Sequence, residues 1–168
     1  MPERRHARSD RRSIPRGGRR QGDMSALERA LESLARQFGA LTPDRRPTIL
    51  VVDDFADGRD VMREYLCFCG FSVITAKHGE EALEKASAAL PDVVLLDLVL
   101  PVMDGFDVIA RLRQSERTKH IKIVVFTASV LNGVRAHVTN AGATFIPKPC
   151  DPRIVALQVA SLATAQRG

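Results

Sequence analysis

With 168 residues, 45% of them apolar and 27% charged, the chain suits one globular domain with an extension and excludes a low-complexity polymer. No apolar run approaches the ~20 residues of a membrane span, and the Arg- and Pro-broken first segment is not expected to act as a secretory signal. The net charge of +5 belongs to the tail: residues 1–20 hold eight arginines against Glu3 and Asp10, so the remainder is near neutral and is not expected to be a DNA-binding fold.

Residues 1–23 carry many arginines, few apolar side chains and the breakers Pro15, Gly17, Gly18 and Gly22. Such a segment buries too little surface to offset its ordering entropy, so it is expected to be disordered, a solubilising extension more than a nucleic-acid arm. Residues 24–46 are expected to form an amphipathic helix and a linker. Ser25 and Glu28 match a capping box, and Leu27, Leu31, Leu34 and Phe38 share one face. That helix is too short to stand alone in water, and homodimerisation is one way to cover its stripe.

From residue 47 to 168 strands and helices alternate. Residues 49–52 are a short apolar strand, 58–69 a helix stopped by Gly70, 72–76 a strand, and 79–90 a helix stopped by Pro91. Residues 93–96 form a third strand, 106–116 a helix, 121–126 a fourth strand, 134–141 a helix and 144–146 a fifth strand. A last helix, 152–165, has Asp151 at its N-cap and Pro152 at its first position. The first, third and fourth strands are continuous apolar runs, as in a parallel sheet covered on both faces. The expected fold is therefore α/β, a doubly wound five-stranded parallel sheet flanked by five helices.

Three cysteines, Cys67, Cys69 and Cys150, show neither disulfide nor metal spacing, and His6, His78, His120 and His137 form no ligand pattern. Reduced thiols in a cytoplasmic protein are expected.

In this architecture ligands bind beyond the carboxyl ends of the strands. Those ends carry Asp53 and Asp54, Asp97, Thr127 and Lys148. Any one of them is an ordinary turn residue, but together they deliver three carboxylates, a hydroxyl and an ammonium to one edge. Clustered carboxylates need a counter-charge, and all-oxygen ligation suits Mg²⁺. Thr127 and Lys148 can then hold phosphoryl oxygens, with one carboxylate as nucleophile.

The stretches V-V-D-D-F (51–55), L-L-D-L-V-L-P-V-M-D-G (95–105), T-A (127–128), A-G-A (141–143) and K-P (148–149) resemble the receiver domain of two-component response regulators. The resemblance implies a flavodoxin-like receiver with Asp97 as phosphoacceptor. It implies that Asp54, Asp97 and the backbone carbonyl of Val99 bind Mg²⁺, with Asp53 acting mostly through water. Thr127 and Lys148 would grip the phosphoryl group, Phe145 with Thr127 would form the switch, and the Lys148–Pro149 bond would be cis. Val99 and Ser129 would tune water access, and apolar Val99 implies slow-to-moderate self-dephosphorylation. The implied partner is a histidine kinase or histidine phosphotransfer protein. With no room for a C-terminal helix-turn-helix, a single-domain regulator is expected to signal by contact with a downstream protein. No enzyme activity is expected beyond Mg²⁺-dependent self-phosphorylation and dephosphorylation. The rival reading is a phosphorylation-independent scaffold that uses the N-terminal helix and basic tail.

Overall fold

A computed structural model describes Arg29 and residues 46–129 and 132–165. The Arg-rich tail and the 25–38 segment, Arg29 apart, lie outside the described residues. The elements run β1 (Thr48–Val52), α1 (Ala56–Phe68), β2 (Ser72–Ala76), α2 (Gly79–Ala89), β3 (Val93–Leu96), α3 (Gly105–Gln114), β4 (Lys122–Thr127), α4 (Val134–Asn140), β5 (Thr144–Pro147) and α5 (Pro152–Ala165). All pairings are parallel, and the sheet order is β2-β1-β3-β4-β5. The expected doubly wound sheet is the observed one.

Burial follows from the pleat, which sends alternate side chains to opposite faces. Leu50, Val52, Val94, Leu96, Ile123 and Val125 face one way and pack against α2, α3 and α4. Ile49, Val51, Val93, Leu95, Val124 and Ile146 face the other way and pack against α1 and α5. Every residue of β3 is buried, which explains why that strand reads as an unbroken apolar run.

Helix boundaries depart from the sequence reading where local hydrogen bonds decide them. α1 starts at Ala56, two residues before the expected start, and packs so tightly that a Cβ on Gly58 would lie 3.1 Å from the Phe55 ring. α3 starts at Gly105 because Asp104 caps it, its Oδ1 accepting from Phe106 N at 2.8 Å and Asp107 N at 3.0 Å. Asp151 Oδ1 accepts from Arg153 N at 2.9 Å, the N-cap bond anticipated for α5. α2 ends on Leu90 in the left-handed region, just ahead of Pro91.

Candidate functional site

Parallel strands end at one edge, and there the backbone ladder continues past the strands themselves. Asp53 N donates to Ala76 O (3.2 Å), Asp97 N to Val52 O (2.9 Å) and Lys148 N to Thr127 O (2.8 Å). The first two bonds align the ends of β2, β1 and β3 across the point where the winding reverses, between β1 and β3, and the third aligns the ends of β4 and β5.

Lys148 Nζ lies between two carboxylates, 2.6 Å from Asp53 Oδ2 and 2.7 Å from Asp97 Oδ2. Both aspartates are buried, as is Thr127. The other oxygens are also held: Asp53 Oδ1 accepts from Phe55 N (2.9 Å) and Asp97 Oδ1 from Val99 N (3.0 Å). Each carboxylate therefore has one oxygen on its own backbone turn and one on the shared ammonium. Burial alone would pull the Lys148 ammonium down, but its bonds to Asp53 and Asp97 and their charges outweigh that and hold its pKa above the usual lysine value. The Phe126 ring lies beneath Nζ, its centroid 5.1 Å away. The Lys148–Pro149 peptide is cis.

Thr127 Oγ1 accepts from Ser129 N at 3.2 Å. Asp54 and Val99 are exposed beside the pair. Of the three expected carboxylates, those of Asp53 and Asp97 meet on Lys148, and that of Asp54, the next residue along, is exposed. Among the described residues no three acidic, His or Cys side chains stand close enough to hold a metal ion. Lys148 pairs with Asp53 and Asp97 and so supplies the counter-charge that the sequence assigned to a cation. The donor chemistry nonetheless fits Mg²⁺: two oxygen ligands already converge on one positive charge, with a further carboxylate and a turn carbonyl at the rim. Phe145 is half-buried against the α3–α4 side of the core, and the Arg135 guanidinium stacks over its ring at 5.0 Å.

Two contributors escaped the sequence reading: Phe126 under the ammonium and Arg59, whose Nη1 donates to Asp53 O at 2.7 Å. Neither carries a local signal, because each acts through a contact between separate elements. Gly105, which ends the 95–105 stretch, lies against the Asp97 carbonyl.

The family of the response regulator receiver domain matches residues 49–159. This chain belongs to that family. The receiver domain is 38% identical over 115 residues to response regulator PleD of Caulobacter vibrioides, a match covering 68% of this chain and 25% of PleD. It is 37% identical over 115 residues to the transcriptional regulatory protein ResD of Bacillus subtilis, covering 68% and 47%. The chain thus spans less than half the length of these curated relatives. Among solved structures, a CheY-like receiver domain protein from Methanospirillum hungatei superposes with a TM-score of 0.69 at 26% identity, covering 73% of this chain and 98% of that one. Chemotaxis protein CheY4 of Vibrio cholerae gives 0.61 at 31% identity, covering 73% and 98%. Among the described residues of the receiver domain, no helix is long and apolar enough to cross a membrane.

Proposed function

We propose that this receiver domain accepts a phosphoryl group on Asp97 and signals through a phosphorylation-dependent protein contact. The observation that carries the reading is the shared ammonium: Lys148 bonds Asp53 and Asp97 together at the switch point of the sheet. An Asp97 oxygen attacks phosphorus, the bond from phosphorus to the donor's nitrogen or oxygen breaks, and an acyl phosphate remains on Asp97. Lys148 then passes from carboxylate to phosphoryl oxygen, and the Thr127 hydroxyl turns from Ser129 N to the same group. Asp54, Asp97 and the Val99 carbonyl, with Asp53 beside them, would hold a Mg²⁺ ion, which would supply positive charge against that developing on the phosphoryl oxygens. The domain is in this reading a substrate of its own modification and not an enzyme acting on others.

The donor class is a phosphohistidine on a histidine kinase or phosphotransfer protein. The free thiols of Cys67, Cys69 and Cys150 suit the cytoplasmic setting such donors require. The output surface is the side built by α4, β5 and α5, where Arg135 covers Phe145. Intact mass after incubation with acetyl phosphate and Mg²⁺ tests the proposal. Wild type should gain one phosphoryl group, dependent on the metal, and Asp97→Asn none. A wild type that gains nothing from several donors would leave a phosphorylation-independent interaction module in its place.

A further inference from the structure

Asp53 is held on every polar atom, and one of its holders comes from a helix. Its N donates to Ala76 O, Oδ1 accepts from Phe55 N, Oδ2 from Lys148 and its carbonyl from Arg59 Nη1 at 2.7 Å. Arg59 stands in the first turn of α1, its own N donating to Phe55 O at 3.0 Å. Phe55, the N-cap of α1, provides no side-chain cap. The guanidinium therefore folds back over a helix start that has no capping side chain and takes hold of the strand-end carbonyl. This side chain ties α1 to the β1 turn.

We infer that Arg59 is a positioning residue for the acid pair. By fixing the Asp53 carbonyl it fixes the turn from Asp53 to Phe55, and with it the direction of the Asp53 carboxylate toward Lys148 and Asp97. Geometry supports this over a generic tether. The anchored carbonyl belongs to the very residue whose carboxylate meets the ammonium, so one guanidinium joins the helix start to the residue that bears the carboxylate. A lost hydrogen bond to this carbonyl lets the turn relax, and the metal-binding oxygens lose their preset spacing. The inference rests on the phosphoacceptor reading for its consequence, but not for its geometry.

The test uses the full chain as wild type, Arg59→Gln and Arg59→Lys, with Arg117→Gln as a control. Arg117 makes a comparable bond, Nη2 to Ser87 O at 3.1 Å, away from the acid pair. Two quantities are read: the NMR shift of the Phe55 amide proton, which reports its bond to Asp53 Oδ1 without metal, and the Mg²⁺ dissociation constant from calorimetric titration. Arg59→Gln should move the Phe55 amide upfield and weaken Mg²⁺ about 3- to 10-fold, the value of one hydrogen bond. Its melting midpoint should fall no further than that of Arg117→Gln. Arg59→Lys, with a donor that reaches the same carbonyl, should recover most of both. An Arg59→Gln protein whose amide and affinity match those of Arg117→Gln overturns the assignment. If wild type itself binds no Mg²⁺, the phosphorylation reading fails separately, and the Phe55 amide alone then decides: a shift upholds the positioning role and no shift ends it.

Discussion

Gly105→Ala is the substitution that links packing to chemistry most directly. A Cβ there would lie 2.6 Å from Leu98 Cα and 2.7 Å from the Asp97 carbonyl oxygen, where ordinary contact begins near 3.4 Å. Both neighbours are backbone atoms, so no side chain can rotate away. Relief requires the start of α3 and the end of β3 to separate by about 0.7–0.8 Å. The Gly105 N bond to Leu98 O, at 2.9 Å, would lengthen with them. Overpacking of this kind costs about 1–3 kcal/mol. The displacement also acts on the residue that bears the nucleophile, and misplacements near 1 Å cost up to about 100-fold in rate. Urea unfolding and the acetyl phosphate reaction, followed by intact mass below the melting range, measure the two effects. Gly105→Ala should lose about 1–3 kcal/mol and react at least ~10-fold more slowly. If it is destabilised yet reacts at the wild-type rate while folded, the loop does not set the position of Asp97 and the reasoning is wrong.

Other outcomes follow from single features. Val102 is 98% exposed with φ 71°, at the centre of a γ-turn closed by Met103 N donating to Pro101 O at 2.8 Å. Positive φ at a γ-turn centre strains a β-branched residue, so Val102→Gly should raise stability by about 1 kcal/mol in urea unfolding, and a loss would show that the turn is unstrained. Arg113 donates to the carbonyls of Lys119, Ile121, Ala141 and Gly142, and burial lowers its pKa. Arg113→Met, which keeps the stem, should cost roughly 2–4 kcal/mol, and a cost below ~1 kcal/mol would mean that water replaces it. The raised pKa of Lys148 means that its contribution to stability is fully present below the ordinary lysine value of 10.5 and is lost as pH rises through the folded value. The gap in unfolding midpoint between wild type and Lys148→Met should therefore close in alkali, and a gap independent of pH would contradict the charge pairing.

The sheet was legible because burial on both faces writes unbroken apolar runs, as in the fully buried β3. Asp53, Asp97, Thr127 and Lys148 were legible because parallel strands must all end at one edge. The start of α1 was not, since its N-cap, Phe55, makes no side-chain capping bond that a sequence signal could mark. Nor could the sequence show that Lys148 would sit between the two carboxylates. That depends on the register of β4 and β5, in which Thr127 pairs with Pro147. Arg59 and Phe126 were invisible for a related reason. A hydrogen bond to a backbone carbonyl and a ring beneath an ammonium have no spacing rule to reveal them.

The sheet divides the apolar interior into two clusters that draw on alternate residues of the same strands. Truncations on opposite sides, such as Leu66→Ala under α1 and Leu112→Ala under α3, therefore share no cavity, and their costs should sum. Sequence drift can then proceed on one side without compensation on the other. Asp53, Asp97 and Lys148 instead meet directly from the ends of β1, β3 and β5, so among the described residues epistasis should concentrate around these three.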